Sequence, residues 1–574
     1  MAAPLAQVNL AKRIRWSFLI FLVLGLIITI RLFFLQVISG EYFRTLAVRQ
    51  YNFFGDISPR RGDIFLTDKN NDLYSAASTK EGYLLYINPD KLVDSEDAYA
   101  KLKNYLELDK EDFIMRAAKK ADPYEVISHK IDKKIAEKVN ALKITGVGTA
   151  PEEWRSYPSK TLASHVLGFL GYKNDELEGR YGVERYYEDV LKGKAGYISD
   201  NRSGAGMLID IGRNFFSPPS EGYDVVLTLE RNVQAYLEKN IEEIDKKWKP
   251  SEVGGIILEP ATGKILAMAA YPNFDPNSYG KTESLETFKN PLVENIYEFG
   301  SVYKPLTIAA GINEKLVTPE TTYKDEGFVA IDGAVIKNFD GRGRGTINLQ
   351  RVINESLNTG AVFVAQKLGK ENMRKYFLNF GIGEKTEITL PGEVSGNVSN
   401  LYSKHDVEYF TASFGQGVAT TPLAFVKAFS ALANGGKLMR PYIVERVVRP
   451  GMGSIINEPK MEREVISPET AESITTMLVK AVDEALLAGK TKFKNWTSAA
   501  KTGTAEIPLK DKKGYSNESL HSFIAFAPAY NAKFILFLYM LRPQGNAFSS
   551  VTLAPYYEDI MRFLLTYYEI PPDR

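Results

Sequence analysis

The chain has no cysteine among its 574 residues. That excludes thiolate catalysis, cysteine-held zinc and disulfides. Histidine is scarce: only His129, His165, His405 and His521 are present. They are scattered, without HExxH-like spacing, so no metal site is expected. A Ser-His-Asp triad would have to draw on one of these four. An excess of one charge is also missing, because 71 basic residues oppose 70 acidic ones and leave a net charge of +1. Nothing in that balance draws the chain toward nucleic acid. Hydrophobic content of 44% and charged content of 25% are those of a globular chain. The length calls for two or three folded units.

Long hydrophobic runs are also lacking, with one exception. Trp16 to Ile38 is apolar throughout apart from Arg31 and a few small or polar residues. A helix over that stretch would cover a hydrocarbon layer about 30 Å thick. Arg31, near its far end, can reach back to the interface. Lys12, Arg13 and Arg15 precede the run. Positive charge there holds the N-terminus in the cytoplasm and sends the rest outward. No small-residue cleavage site follows, so an uncleaved anchor is expected rather than a signal peptide. The division expected is a cytoplasmic tail at 1–11, an anchor at 12–38, a pedestal at 39–225 and a catalytic domain at 226–574.

Residues 57–75 read as strand, turn, strand, with Asn70 and Asn71 able to supply a left-handed turn. Charged helical stretches are expected around 92–120 and 131–143. Ser217-Pro218-Pro219-Ser220 reads as a boundary. Beyond it, 224–229 is a strand, 231–248 a helix, and 253–260 with 265–272 a hairpin. Helical patterns follow at 302–313, 348–369, 421–434 and 467–487. The last opens with Ser467 and Pro468, an N-cap with proline at the first helical position. Strand patterns return at 498–507, 522–529 and 533–543, and a helix closes the chain at 552–568. The fold class expected is mixed α/β (α+β): one sheet carrying helices on both faces, beside an elongated α/β pedestal.

Three motifs carry chemistry. Ser-x-x-Lys occurs at Ser278/Lys281, Ser301/Lys304 and Ser498/Lys501. Only Ser301/Lys304 falls where a helix can begin, because Gly300 can make the turn leading in and Pro305 is tolerated only near a helix start. On a first helical turn these two side chains share a face, and the backbone N–H groups point at whatever the serine attacks. A lysine acts as a base only when neutral, which calls for burial or a second cation nearby. Lys501-Thr502-Gly503-Thr504 supplies that cation. On an edge strand its glycine would permit close approach of a ligand, and its threonines could hold a carboxylate. Ser-x-Asn occurs at Ser199, Ser356 and Ser395. The pair Ser356/Asn358 lies within the 348–369 helical pattern.

Taken in order, Ser301-x-x-Lys304, Ser356-x-Asn358 and Lys501-Thr502-Gly503 form the set found in serine acyl-transfer enzymes that bind penicillins. With RRGDI at 60–64, GRYGVE at 179–184, ATGKILAMA at 261–269 and SFGQGVATTPL at 413–423, the chain resembles the class B penicillin-binding proteins. These are monofunctional peptidoglycan D,D-transpeptidases of the penicillin-binding protein 2 and FtsI kinds.

The resemblance implies that Ser301 is the acylated nucleophile and Lys304 its base. It implies that Ser356 relays protons, Asn358 holds the substrate amide, and Lys501 supplies positive charge. Thr502, Gly503 and Thr504 would bind the terminal carboxylate, with the N–H groups of Ser301 and Thr504 forming the oxyanion hole. No cofactor or metal is implied. Implied partners are peptidoglycan stem peptides, β-lactams as inhibitors, the bacterial membrane, and an integral-membrane glycan polymerase of the SEDS type reached through anchor and pedestal. The sequence leans toward the division type over side-wall synthesis. A D,D-carboxypeptidase, a β-lactamase or a non-catalytic scaffold are the alternatives. Phe299 replaces the family's usual proline, Glu230 its aspartate, and Asn70-Asn71 its turn glycine. Phe299 is expected to alter the approach to Ser301.

Overall fold

A computed structural model of the protein describes residues 5–33, 59–120, 122–173, 176–194, 197–199, 215–217, 220–449, 451–509, 514–546 and 548–574. The chain forms two units, Met1–Arg60 with Gly193–Glu221, and Arg61–Lys192 with Gly222–Arg574. In the first, Leu5–Phe33 is a helix, and Tyr197–Ser199 pairs antiparallel with Phe215–Ser217. Trp16, Phe18 and Phe21 on that helix are exposed. Among the described residues no helix is long and apolar enough to cross a membrane. The expected anchor runs on to Ile38, so its last turn lies outside the described residues. So do Pro218 and Pro219 of the expected boundary, and Asn201 of the Ser199 motif.

The second unit holds two sheets. A seven-stranded sheet joins strands far apart in sequence: Ile64–Thr67 runs parallel to Asp224–Glu230, which pairs antiparallel with Val444–Arg449. The turn before Leu73–Ile87 uses Asn71 at φ 64, the left-handed conformation expected of it. The helical stretch expected at 92–120 is two helices, Ser95–Leu102 and Lys110–Ala117, each started by an aspartate, Asp94 and Asp109. The stretch at 131–143 is the helix Lys133–Ala141.

The second sheet has five antiparallel strands in the order Lys264–Tyr271, Glu252–Glu259, Phe534–Leu541, Tyr515–Ala527, Ala499–Pro508. Its period-two alternation feeds two cores. Along Phe534–Leu541, Leu536, Leu538 and Met540 pack with helices Arg231–Trp248 and Ala554–Tyr567. Ile535, Phe537 and Tyr539 pack on the opposite face with Lys304–Asn313, Pro422–Ala433 and Pro468–Lys480. Helices therefore cover both faces, as expected. Glu230 caps the helix Arg231–Trp248 by accepting from Val233 N at 2.6 Å, so this departure from aspartate keeps the cap. Pro468 stands in the first turn behind the N-cap Ser467, also as expected.

Three helix expectations need correction. The helix expected at 467–487 ends at Lys480 and passes into a π-turn, Ala481–Ala485. The 348–369 pattern is not one helix. Leu349–Glu355 ends at Ser356, which adopts φ 56 and ψ 44, and a second helix, Asn358–Asn379, begins two residues on. Ser301 does not open the α-helix either. It lies in a 3₁₀ turn, Gly300–Tyr303, and the α-helix starts at Lys304.

Candidate active site

Ser301 stands on that 3₁₀ turn, where residues three apart eclipse one another, so Lys304 lies on its side of the turn. The turn sits hard against the edge strand Ala499–Pro508. Gly300 has φ +65, and a Cβ there would stand 3.0 Å from Ala505 Cβ and 3.3 Å from Thr504 O. A Cβ on Gly503 would stand 2.4 Å from both Phe299 O and Ser522 Oγ. The close approach that Gly503 permits is therefore that of the nucleophile turn, not of a ligand. Ser522 Oγ donates to Phe299 O at 3.0 Å and ties the turn to the neighbouring strand.

Phe299 itself points away from the cleft. It is fully buried, with its ring edge-on to Phe537 at 5.0 Å and tilted against Phe425 at 5.3 Å. The effect expected of it on the approach to Ser301 is replaced by a role in the core.

Lys304 is fully buried. Its Nζ donates to Ser356 O and, at 3.3 Å, to Ser356 Oγ. Lys501 Nζ donates to the same Ser356 Oγ at 2.9 Å and to Thr502 O at 2.8 Å. Among the described residues Lys304 Nζ is bonded to Ser356 and not to Ser301. The left-handed break at Ser356 allows this, because it aims both the carbonyl and the hydroxyl of one residue at the lysine.

Burial holds Lys304 well below the ordinary lysine range, and the like charge of Lys501 pushes it further down. Burial alone brings Lys501 down to about 7. A neutral Lys304 has two hydrogens, both spent on Ser356, and one lone pair left over. Ser356 Oγ accepts from both lysines and keeps its own hydrogen to give.

Asn358 Nδ2 donates to Lys337 O at 2.9 Å, which leaves its carbonyl oxygen as the acceptor for an incoming amide. Sequence reasoning missed the brace behind it. Thr359 Oγ1 donates to the buried Asp325 at 2.8 Å, and Asn338 Nδ2 donates to the same carboxylate at 3.1 Å. It also missed the wall opposite. Ser549 N donates to Thr504 Oγ1 at 3.3 Å, and Thr552 of the same short helix lies 2.9 Å from His521 Nδ1. Neither group stands in a motif, so only the folded chain exposes them.

A cavity of about 230 Å³ joins Ser301, Ser356, Asn358, Thr502 and Thr504. Phe339 and Phe548, from opposite walls, meet edge to face at 6.3 Å along its rim. The serines of the rival Ser-x-x-Lys pairs are elsewhere. Ser278 lies in a kinked 3₁₀ segment, and Ser498 Oγ accepts from Tyr557 OH in the core.

The acid limb of acylation follows from this geometry. A lysine held low stays neutral above its lowered pKa and takes a proton as pH falls through it. The acylation rate should therefore fall on the acid side. Replacing Lys501 with glutamine removes the like charge, raises the pKa of Lys304 and should move that limb to higher pH. A rate–pH profile that keeps its acid limb in place would contradict the pairing.

The fold, with Ser301, Lys304, Ser356 and Lys501 gathered at one site, defines a serine acyl-transfer enzyme. Residues 253–562 match the penicillin-binding protein transpeptidase domain, and residues 56–227 match the penicillin-binding protein dimerisation domain. The chain belongs to the penicillin-binding protein transpeptidase family.

The chain is 32% identical over 564 residues to the stage V sporulation protein D of Bacillus subtilis, covering 97% of this chain and 86% of that one. It is 28% identical over 578 residues to the peptidoglycan D,D-transpeptidase FtsI homolog of Mesostigma viride, covering 94% and 93%. Penicillin-binding protein 2X of Streptococcus thermophilus has the same fold, with a TM-score of 0.73 and 22% identity over 90% of this chain and 81% of that one. So does penicillin-binding protein 3 of Mycobacterium tuberculosis, solved with aztreonam, at a TM-score of 0.69 and 22% identity over 90% and 98%.

Proposed function

We propose that this protein is a peptidoglycan D,D-transpeptidase that cross-links stem peptides through an acyl-serine intermediate and is itself acylated by β-lactams. The observation that carries the reading is Ser356 Oγ held between Lys304 and Lys501, in one cavity with Ser301. Ser301 Oγ attacks the carbonyl of the D-Ala-D-Ala bond, and neutral Lys304 takes its proton. The N–H groups of Ser301 and Thr504 receive the oxyanion. The C–N bond breaks, and the departing D-Ala amine takes a proton from Ser356, which is replenished by a lysine. An acceptor amine then attacks the ester and returns its proton by the same route, freeing Ser301. Covalent catalysis replaces one difficult displacement by two easier ones. Lys501, Thr502 and Thr504 hold the terminal carboxylate, and Asn358 the peptide amide.

In this reading 12–38 anchors the chain in the bacterial membrane. The catalytic domain, 226–574, then stands outside the cytoplasm on a pedestal at 39–225. The apolar stretch 16–38 with basic residues before it supports that placement. We take the polymerase partner to be an integral-membrane glycan polymerase of the SEDS type, and the role to be of the division type, in keeping with the relative named for FtsI.

Mass spectrometry of the protein after incubation with a penicillin tests the chemistry. The expected result is one intact drug mass on the peptide carrying Ser301, persisting for minutes or longer. An adduct on another residue would refute the assignment of the nucleophile. Release of hydrolysed drug within seconds would make the protein a hydrolase.

A further inference from the structure

Away from the cleft, a cavity of about 270 Å³ opens where Glu252, at the start of its strand, meets His165 of the short helix Ser164–Leu167 and the segment 286–295. Tyr271, Pro272 and Pro291 give it an apolar side. None of its lining residues lines the catalytic cavity.

The polar groups that line it are satisfied, with one exception. His165 Nε2 donates to Thr287 O at 3.0 Å, so the other ring nitrogen keeps a lone pair. Burial brings His165 down to about 4, which leaves the ring neutral. Lys289 and Glu286, on the exposed side, pair with each other at 2.8 Å. Glu252 is the exception. Tyr297 OH donates to its Oε1 at 2.5 Å, and Tyr539 OH donates to the same oxygen at 2.8 Å. Oε2 takes neither. Among the described residues no lysine, arginine or histidine forms an ion pair with this carboxylate; Arg542 acts on it only at a distance and is itself paired to Glu518 at 2.6 Å. Enclosure pushes the Glu252 carboxyl above its usual range. A carboxylate drawn into a protein without a counter-ion is costly. Here a cavity stands where the counter-ion would be.

We propose that this cavity binds a small organic cation, an ammonium or guanidinium on a stem of a few carbons, with Glu252 as its counter-ion, and that filling it speeds acylation of Ser301. The cation is organic because, among the described residues, no cluster of three histidines or carboxylates could hold a metal. It is small because drug-sized ligands take cavities of about 300–1,000 Å³. The stem lies against the proline side, and the head faces the carboxylate.

The link to the nucleophile is short. A bound cation keeps Glu252 ionised, and an ionised carboxylate holds both phenols more strongly than a protonated one. Tyr297 leads into the nucleophile turn. Its backbone N–H and C=O pair with Thr420 at 2.9 and 3.0 Å, and Thr420 Oγ1 lies 2.9 Å from the hydroxyl of Tyr303, which is part of that turn. Glu252 therefore anchors one flank of Ser301, and Thr420 ties that flank to the other. A ligand that binds only the ionised form shifts the population toward the held turn.

The test uses the full chain, with n-butylamine and n-butylguanidine as probes and N-butylurea as the uncharged control. Calorimetry should show at least one cation binding once per chain, and the urea not binding. Saturation should raise the penicillin acylation rate by about five-fold or more, the lower end of ordinary coupling between sites. Glu252→Gln keeps the shape and an acceptor for the tyrosines. It should weaken the cation by about ten-fold or more and abolish the acceleration. Thr287→Phe narrows the cavity from a half-buried wall and should do the same with Glu252 intact, with thermal melting to check that both variants fold. No saturable binding of either cation overturns the site. Equal affinity in Glu252→Gln, or a urea that binds as well as the cations, overturns the counter-ion. Binding that leaves acylation unchanged overturns the coupling. The rate readout rests on the transpeptidase reading above: a chain that no penicillin acylates overturns that reading, while calorimetry still decides the site.

Discussion

Lys304→Met should slow penicillin acylation by about 100- to 10,000-fold, the range that a positioned general base supplies. Methionine matches the length and apolar stem of the lysine, and the site is fully buried, so the packing of the turn against the edge strand survives. The change removes the lone pair that receives the Ser301 proton. It also strips Ser356 O and Oγ of a donor. Leaving those groups unpaired costs about 1–3 kcal/mol, but the same substitution ends the expense of burying an amine, and the two act in opposite directions. The melting temperature should therefore move far less than the rate. Stopped-flow acylation beside a thermal melt checks both. Acylation at the wild-type rate would place the base elsewhere. The residual rate should also lose the acid limb that Lys304 gives the wild type.

Glu184→Gln should destabilise the fold by about 3–5 kcal/mol, the cost of removing one partner from a buried ionic cluster. Glu184 is wholly buried and serves two arginines at once. Arg61 donates to its Oε2 at 2.9 and 2.7 Å, and Arg155 to its Oε1 at 2.7 Å, with Tyr157 OH adding a bond at 3.2 Å. Glutamine keeps the shape but leaves both guanidinium groups short of negative charge. Glu188, 2.7 Å from Arg61, and Asp63, 3.7 Å from Arg155, make up only part of the loss. Burial alone would push the Glu184 carboxyl up; the nearby Arg155 and Arg61 outweigh it and hold it below the usual carboxylate range.

A carboxylate held low stabilises the fold above its unfolded pKa, about 4.3. That contribution is lost as pH falls through the lower folded value. Urea unfolding at pH 7 should show the deficit. On acidification, the gap between wild type and variant should close below about pH 4.3. A gap that stays constant with pH would mean that the cluster acts by shape rather than charge.

The sequence made most of the fold readable wherever period and punctuation agree. The hairpin at 253–272, the capped helix after Ser467 and the edge strand carrying Lys501 all combine a clear period with a turn or cap residue. Two features of the site were not readable, for different reasons. Ser356 breaks a helical pattern that runs unbroken through 348–369. No glycine or proline marks the break, and the left-handed conformation is held by the packing of Leu357 and by Lys304. The brace of Asp325, Asn338 and Thr359 comes from segments with no motif, joined only when the chain folds. The motif residues Ser301, Lys304, Ser356 and Lys501 were readable because only Ser301-x-x-Lys304 falls at a helix start and because SxxK, SxN and KTG then follow in the order the resemblance requires. That Lys501 would help keep Lys304 neutral was readable too, and the structure agrees; that both lysines would bond to Ser356 was not, because it depends on which face of Ser356 turns inward.

The contact between the nucleophile turn and the edge strand has a bearing on how this enzyme can change over generations. A carbon added to Gly503 would collide with Phe299 O and with the Ser522 hydroxyl that holds the turn, and Gly300 combines a left-handed φ of +65 with tight contact to Ala505 Cβ and Thr504 O. A lineage under antibiotic pressure therefore cannot retune drug affinity at these two points without shifting the serine itself. The freedom lies at the rim, where Phe339 and Phe548 are 64% and 52% exposed and bear no part of that contact. Adaptive substitutions should accumulate on those two loops, while the floor of the cleft stays fixed.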